Sequence, residues 1–233
     1  MIAFERPLIA GVVTPRMLQH DLALARTAGP DVLEYRADMA EQPSAERIRA
    51  DLSHIGAALS LPLIFTLRDT REGGRCMLPV AARAPLFRAA LPYVNAVDVE
   101  LRNTAMLPLI RTACARYRTT VILSLHDFEG TPAVTALHAA VSKAIQARGD
   151  VVKMATTCHT RAEVRRLLGV ARTVSGIHVS VVGMGPYGAD VRRAAPRYGA
   201  VLGYASLSTA VAPGQLSVAE LRHAWEGSTH DRA

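Results

Sequence analysis

Lysine is nearly absent from this sequence. Only two of the 27 basic residues are lysines, Lys143 and Lys153, and the others are arginines. Arginine stays protonated at any useful pH, whereas a buried lysine can lose its proton and become a nucleophile. Lys143 falls in a helical pattern, but Lys153 follows two valines in the β-branched run VVKMA. A lysine kept inside a predicted strand indicates a chemical role.

Cysteines and long apolar runs are also scarce. The three cysteines, Cys76, Cys114 and Cys158, show no metal-ligand spacing, and we interpret them as free thiols. No apolar run approaches the roughly 20 residues that cross a bilayer. The first residues, MIAFERPLIAGVV, lack the basic start and the cleavage site of a secretory signal. These absences predict no metal, no membrane partner and a cytoplasmic location.

Aromatic residues make up only 5% of the chain, although its formal net charge is +7. A basic protein of this kind suggests a nucleic-acid partner when aromatic and basic residues share a stripe. Here the arginines are scattered along the whole length. We therefore predict no nucleic-acid partner and an anionic small-molecule substrate.

Short β-branched runs alternate with Ala-, Leu- and Arg-rich helical segments, and the pattern repeats eight times. Strict alternation predicts parallel strands joined by helices. The predicted strands are 8–13, 32–36, 63–68, 97–101, 121–125, 151–155, 177–182 and 200–205. The predicted helices are 16–28, 44–59, 83–91, 104–117, 133–147, 160–172, 188–197 and 217–226.

Eight such units in fewer than 250 residues predict a single (β/α)8 TIM barrel over residues 1–226, followed by a polar tail, 227–233. A doubly wound open sheet is the alternative. That fold usually carries a Gly-rich phosphate loop after its first strand, and GVVTPRM is not such a loop.

Ionisable side chains recur near the carboxyl ends of strands two to six, where the active sites of such barrels lie. Burial of charge is costly unless the charge is paired or used, so five such strands in succession predict a site. These residues are Glu34, Arg36, Arg68, Asp98, Glu100, His126 and Lys153. We interpret Asp98 and Glu100 mainly as structural.

The chemistry of these residue types predicts a Schiff-base enzyme. Cations near Lys153, supplied by Arg36, Arg68 and Arg192, would favour its neutral amine, which can attack a ketone. His126 would act as the acid/base, and Glu72 would orient its imidazole.

Two structural alternatives remain open at this point. In the first, Arg68 and Glu72 simply pair with one another across a turn. In the second, Glu34 and Arg36 form a structural ion pair at the barrel floor.

Seven motifs then resemble the type I 3-dehydroquinate dehydratase family. They run in the family's order and span most of the chain. They are LEYRAD (33–38), FTLRDTREGG (65–74), VDVEL (97–101), LSLHDF (123–128), VVKMATT (151–157), GMGPYG (183–188) followed by Arg192, and APGQ (212–215).

The resemblance implies dehydration of 3-dehydroquinate to 3-dehydroshikimate in the shikimate pathway, with neither metal nor organic cofactor. It implies that Lys153 forms the Schiff base, that His126 is the general acid/base and that Glu72 supports it. It also implies that Arg192 binds the substrate carboxylate and that a homodimer forms. The substrate hydroxyls would be held or framed by Glu34, Arg36, Arg68 and Gln215.

The chain departs from the family pattern in a few places. Val211 stands where the family commonly has Ser, and Ser208 or Thr209 is a candidate replacement. Val191 stands where Ser is frequent before the arginine. Only seven residues precede the first strand, so we expect an N-terminal hairpin across the barrel floor to be short or absent.

Two rival functions share parts of this pattern. An aldolase-like barrel enzyme acting on sugar phosphates would also use Lys153, with GMGPYG as a phosphate pocket. A non-catalytic barrel that binds a metabolite would have no reason to keep Lys, His and Glu together. Trapping of a covalent adduct on Lys153 separates these alternatives.

Overall fold

Eight parallel strands and eight α-helices alternate along the chain in the computed structural model, which describes residues 1–208, 210 and 214–227. The strands are β1 (Leu8–Val13), β2 (Val32–Arg36), β3 (Leu63–Thr66), β4 (Ala96–Glu100), β5 (Thr120–Asp127), β6 (Val151–Thr157), β7 (His178–Met184) and β8 (Leu202–Ser206). The helices are α1 (Leu18–Ala28), α2 (Ala45–Ala58), α3 (Val80–Ala90), α4 (Leu107–Arg116), α5 (Val134–Gln146), α6 (Arg161–Thr173), α7 (Gly188–Ala194) and α8 (Val218–Glu226).

The strands form one parallel sheet in the order β7-β6-β5-β4-β3-β2-β1-β8. β8 pairs with β1, and a bridge links Val179 of β7 to Ala200, two residues before β8. The sheet thereby curls into a (β/α)8 barrel, and the predicted fold is confirmed. Among the described residues, no helix is both long and apolar enough to span a membrane.

Two apolar layers hold this architecture together. The larger layer lies between the outer face of the strands and the helices, where Leu33, Phe65 and Phe87 are fully buried. The smaller layer fills the barrel interior with small or branched side chains such as Ala10 and Ile64. Every second residue of a strand points into the barrel. Along β2, β3 and β4, the apolar inward residue comes first, and the polar inward residues follow towards the carboxyl end.

The N-terminal segment completes the barrel floor without a hairpin, since residues 1–7 contain no strand. The backbone N–H of Ile2 donates to Thr120 Oγ1 (3.0 Å), and the Ile2 side chain is buried in the inner layer. Phe4 packs against this layer and lies 5.0 Å from the ring of His178.

Several element boundaries differ from the predicted ones. β3 ends at Thr66, so Arg68 lies in the following loop. β5 and β6 run two residues beyond their predicted ends, because His126 and Asp127 still pair with Ala155 and Thr156. The fourth predicted helix divides into a 3-10 segment, Leu101–Met106, and α4, with non-helical backbone at Asn103. From residue 228 onward, the predicted tail lies outside the described residues.

Candidate active site

A cleft opens at the carboxyl ends of the strands, and it is lined by all eight site residues predicted from the sequence. These are Glu34, Arg36, Arg68, Glu72, His126, Lys153, Arg192 and Gln215. The remaining lining residues are Val12, Gly73, Phe128, Ala155, Val182, Met184 and Tyr204. Charged groups therefore meet a partly apolar wall, as a small organic anion would require.

Lys153 occupies the third position of β6 and points into the barrel mouth. Its Nζ lies 3.0 Å from Asp98 Oδ2 and 3.6 Å from Glu34 Oε1, and the side chain is buried. The ring of Tyr204 lies 3.6 Å from the same nitrogen. The amine is thus held from two sides by carboxylates and from a third by an aromatic face.

Two carboxylates, which the sequence analysis did not place against Lys153, lie beside its amine. Glu34 on β2 and Asp98 on β4 occupy inward positions, as Lys153 does on β6, so their carboxylates converge on the amine. Asp98 therefore has a direct contact with the candidate nucleophile, beyond the structural role that the sequence suggested.

His126 lies on the strand beside Lys153 and is bound to Glu72. His126 Nδ1 lies 2.8 Å from Glu72 Oε2, and the His126 backbone N–H donates to the same oxygen at 3.1 Å. Ser124 is the register partner of Lys153, so His126 stands two residues nearer the barrel mouth on the same face. The predicted pair of imidazole and carboxylate is present.

The charge states of this pair follow from burial. Burial, with Arg68 and Lys153 nearby, holds the pKa of His126 well below its ordinary value, so the ring is neutral near pH 7. Burial raises the pKa of Glu72 to about 7, although the nearby guanidinium of Arg68 opposes the shift. When Glu72 is ionised, it accepts a hydrogen bond from the Nδ1–H of His126. The lone pair on Nε2 of the ring is then available to take a proton.

Glu72 is positioned by the short loop that follows β3. It ends a 3-10 turn, Thr70–Glu72, in which Asp69 accepts a hydrogen bond from the backbone N–H of Arg71. Arg102 Nε lies 2.9 Å from Glu72 Oε1. Oε1 of Glu72 is thereby bound to Arg102, and Oε2 remains directed at His126.

Arg68 belongs to a buried ionic network beside Lys153. Its guanidinium lies 2.8 Å from Asp98 Oδ1 and 3.1 Å from Glu100 Oε1, and it donates to Ser124 Oγ at 2.7 Å. Burial alone would raise the pKa of Asp98, but Arg68 and Lys153 hold it well below its ordinary value. Arg68 therefore keeps Asp98 ionised and fixed against the amine.

A buried arginine that the sequence analysis did not single out completes this network. Arg83 of α3 is fully buried and contacts Glu100 Oε2 at 2.9 Å and Asp69 Oδ2 at 3.3 Å. It thereby ties Glu100 to the loop that carries Glu72. The helix VAARAPLFRAA carries two arginines, Arg83 and Arg88, and its sequence did not distinguish the buried one.

Neither structural alternative from the sequence is present. Arg36 pairs with Asp38 through two contacts of 2.8 Å, and not with Glu34. Glu34 instead accepts a hydrogen bond from Thr66 Oγ1 at 2.8 Å. Arg68 pairs with the carboxylates of β4, and not with Glu72.

Arg192 differs from the other arginines of the cleft, because no carboxylate of the described residues lies within ion-pair distance of it. Its Nε and Nη1 donate to the backbone oxygens of Gly183 (2.9 Å) and Tyr204 (2.8 Å). Burial lowers its pKa to about 10, and it stays protonated near neutrality. A buried cation that has no counterion among the described residues is suited to bind an anionic ligand.

Gln215 reaches the cleft from the segment after β8, next to Gly214, whose φ of +74° is a left-handed conformation. Ser208 does not take the place of the missing serine in the cleft, since its hydroxyl donates to Asp21 of α1. Thr209 and the segment 211–213, which includes Val211, lie outside the described residues.

Tyr204 is a lining residue that the sequence analysis missed. Its ring packs under Lys153, and its buried hydroxyl has no hydrogen-bond partner among the described residues. An inward aromatic residue on the last strand, VLGYA, was its only signal. Among the described residues, no group of three or more His, Cys, Asp and Glu side chains is arranged to hold a metal ion.

The chain is similar to known proteins over most of its length. A family model described as Type I 3-dehydroquinase matches residues 11–231. The 3-dehydroquinate dehydratase of Methanococcoides burtonii is 34% identical over 224 residues, which cover 95% of this chain and 94% of that protein. The enzyme of the same name from Haloarcula marismortui is 37% identical over 82% of this chain and 85% of that protein.

Solved structures are similar over nearly the whole chain. The crystal structure of 3-dehydroquinate dehydratase from Geobacillus kaustophilus superposes with a TM-score of 0.91 at 26% identity, covering 98% of this chain and 93% of that one. The corresponding enzyme from Aquifex aeolicus gives a TM-score of 0.85 at 29% identity, covering 94% and 98%.

Proposed function

Since the chain belongs to the type I 3-dehydroquinase family of hydro-lyases, we propose that it dehydrates 3-dehydroquinate through a Schiff base on Lys153. One juxtaposition supports this proposal above all. A buried amine, a neutral imidazole on the adjacent strand and a guanidinium with no carboxylate partner among the described residues line the same cleft. These are the groups needed to bind a ketone, move a proton and hold a carboxylate.

The first chemical step joins the enzyme to its substrate. His126 takes one proton from the ammonium group of Lys153, and the freed amine attacks the C3 carbonyl carbon. A second N–H proton moves from this nitrogen to the carbonyl oxygen, which gives a carbinolamine. The imidazolium then returns its proton to that hydroxyl, which leaves as water, so an iminium ion forms and His126 is neutral again. Asp98, Glu34 and the face of Tyr204 surround this nitrogen and stabilise its positive charge.

The second step removes the elements of water from C1 and C2. The iminium draws electrons from C2, so neutral His126 takes the C2 proton and an enamine forms. The imidazolium then gives that proton to the departing C1 hydroxyl, and a C1–C2 double bond forms. Hydrolysis of the iminium consumes the water lost on its formation and frees Lys153, so the net product is 3-dehydroshikimate and one water.

The other predicted residues orient the substrate. Arg192 binds its carboxylate, because that guanidinium has no carboxylate partner among the described residues. Arg36, Glu34 and Gln215 hold hydroxyls at the mouth of the cleft. Arg68 frames the site through Asp98, since most of its donors are already used by protein groups.

Borohydride trapping tests the covalent step. The protein is incubated with 3-dehydroquinate, reduced, digested and analysed by mass spectrometry. We expect one adduct, on the peptide that contains Lys153. Lys153→Ala should lose both turnover and adduct, while Lys143→Ala, the matched control, should keep both. Substrate binding without any adduct would instead support a metabolite-binding barrel.

The role of His126 is tested separately from that of Lys153. His126→Ala removes the base but keeps the amine, so turnover should fall by roughly 10²- to 10⁴-fold while slow trapping continues. The measurement is the absorbance rise of the conjugated enone product. Unchanged turnover in this variant would contradict the assigned role.

We further propose a homodimer that works in the cytoplasm without metal or organic cofactor, partnered by neither nucleic acid nor membrane. The support is the resemblance of the motifs to this family. Sedimentation equilibrium tests the dimer, and chelator treatment should leave turnover unchanged. A monomer, or a loss of activity that added metal restores, would contradict this part of the proposal.

A further inference from the structure

A second cavity lies at the opposite end of the barrel from the cleft, between the C-terminal ends of α4 and α5. Its floor is apolar and is formed by Leu107, Ile110, Cys114 and Val121. The volume is about 240 Å³. A dry cavity of about 150 Å³ holds a benzene ring, so this space suits a molecule with one ring. We call it the lower cavity.

Three arginines stand on the rim of the lower cavity: Arg111, Arg118 and Arg148. Arg111 donates to the backbone oxygen of Ala147 at 2.7 Å, which fixes it across the gap between the two helices. The side chains of Arg118 and Arg148 have no hydrogen-bond acceptor or carboxylate partner among the described residues. Asp150 also lines the cavity, and it accepts a hydrogen bond from the backbone N–H of Val121 at 2.7 Å. The rim carries a net positive charge after this carboxylate is counted.

The backbone at two of these arginines is unusual. Arg118 (φ +51°) and Arg148 (φ +55°) are the only residues other than glycine with positive φ in the described chain. A side chain in this left-handed region costs roughly 1–2 kcal/mol, and helices that end in this conformation usually place glycine there. This chain does so after α1, at Gly29. Both exceptions line the same cavity.

From these observations we propose that the lower cavity is a binding site for a small carboxylate that carries a single ring. The ring would lie on the apolar floor, and the carboxylate would meet the arginines of the rim. Arginine suits this task, because its planar guanidinium binds a carboxylate through paired hydrogen bonds. The site is separate from the catalytic cleft and does not depend on the function proposed for it.

Calorimetric titration with benzoate tests the proposal, with benzamide and acetate as probes that lack the charge or the ring. We expect saturable binding of benzoate, and binding of benzamide and acetate weaker by about tenfold or more. Equal binding of benzoate and benzamide would overturn the role of the arginines.

Two variants locate the binding. The double variant Arg118→Gly, Arg148→Gly should weaken benzoate binding by about tenfold or more and leave the thermal midpoint unchanged or raised, because glycine relieves the backbone strain. Ala115→Trp keeps all three arginines but narrows the cavity from its exposed rim, and it should also abolish binding. Arg116→Ala is the matched control, since this arginine of the same helix lies over the ring of Tyr117 and does not line the cavity.

The catalytic cleft must be excluded as the source of binding. Arg192→Gln removes the anion partner of the cleft and should leave benzoate binding intact. If binding disappears in Arg192→Gln and persists in the double glycine variant, benzoate occupies the cleft and the proposal is wrong. If the double variant lowers the thermal midpoint and keeps full affinity, the two arginines act only on the helix ends and the proposal is equally wrong.

Discussion

The imidazole of His126 is held by a carboxyl group that itself titrates near neutrality. Above pH 7 the ionised Glu72 accepts a hydrogen bond from the Nδ1–H of His126, so Nε2 of the ring can act as a base. Below pH 7 a protonated Glu72 donates to Nδ1 and forces the ring proton onto Nε2. We therefore expect kcat to fall as the pH drops through about 7, the pKa that burial gives to Glu72.

Glu72→Gln tests this assignment. An amide does not titrate, so the acid limb near pH 7 should disappear, and turnover should drop roughly ten- to hundredfold because part of the contribution of the base is lost. The measurement is a pH profile of kcat for both proteins. An unchanged acid limb in the variant would show that another group titrates there.

Asp98 is the residue whose loss should affect both stability and chemistry. Asp98→Asn removes one carboxylate from Arg68 and from Lys153, and leaves buried charge less well paired. We expect a loss of about 3 kcal/mol in the free energy of unfolding, at the lower end for a broken buried pair because Glu100 remains bound to Arg68. Urea denaturation at pH 7 measures this.

The sign of the pH effect gives a second readout for Asp98. Its pKa is lowered in the folded protein, so its contribution to stability is present above its ordinary pKa and is lost as the pH falls below it. The stability of Asp98→Asn should therefore fall less steeply below about pH 4 than that of the wild type. Asp190→Asn, at an exposed pair with Arg193, is the control and should change little. Parallel acid profiles for Asp98→Asn and the wild type would contradict this account.

At the scale of the elements, hydrophobic period and turn signals predicted where strands begin better than where they end. The bounds of β1 and β2 agree with the prediction residue for residue. β5 extends to Asp127 because β6 offers backbone partners to His126 and Asp127. Such pairing depends on the neighbouring strand, and local sequence carries little information about it.

α7 shows how one element positions a site residue through close packing. A Cβ at Gly183 of β7 would lie 2.6 Å from Val191 Cβ and 2.7 Å from the backbone oxygen of Gly188. Glycine therefore allows α7, which carries Arg192, to lie directly against β7. Gly183→Ala should push this helix outward, raise KM more than it lowers kcat, and destabilise the protein by about 1–3 kcal/mol.

Gly169→Ala is the matched control for that prediction. Gly169 lies within α6, and apart from its chain neighbours and the backbone of its own helix, no atom of the described residues lies within 4 Å of where its Cβ would be. Alanine at this position should stabilise the protein by about 0.5–1 kcal/mol and leave KM unchanged. Steady-state kinetics and urea denaturation of both variants provide the comparison. An unchanged KM in Gly183→Ala would mean that the helix tolerates the methyl group.

At the scale of the whole molecule, barrel closure made it predictable that the cleft residues carried by the strands would meet, whereas Gln215 was assigned only through the resemblance to the family. Parallel strands bring their carboxyl ends to one face, so polar residues on five separate strands had to converge. The pairing among them was not predictable in the same way. That Arg36 contacts Asp38, and that Asp98 contacts Lys153, depends on side-chain directions across strands that periodicity does not specify.

The excess of arginine should also act on the molecule as a whole. The chain carries a formal net charge of +7, and a third cavity, lined by Arg16, Arg36 and Arg75, adjoins the cleft through Val12 and Gly73. A positive field of this kind raises the encounter rate with an anionic substrate, and salt screens it over about 10 Å at 0.1 M.

We therefore expect kcat/KM to fall several-fold between about 0.02 and 0.5 M NaCl while kcat stays constant, because salt weakens the encounter and not the chemistry. The variant Arg75→Gln keeps the cleft intact but removes one exposed charge beside it, so its kcat/KM should be lower at low salt and should depend less on salt. Arg165→Gln, an exposed arginine of α6 that does not line the cleft, is the control for net charge alone. If both variants lose the same fraction of their salt dependence, net charge governs the encounter. If neither variant nor the wild type responds to salt, the arginines beside the cleft do not steer the substrate.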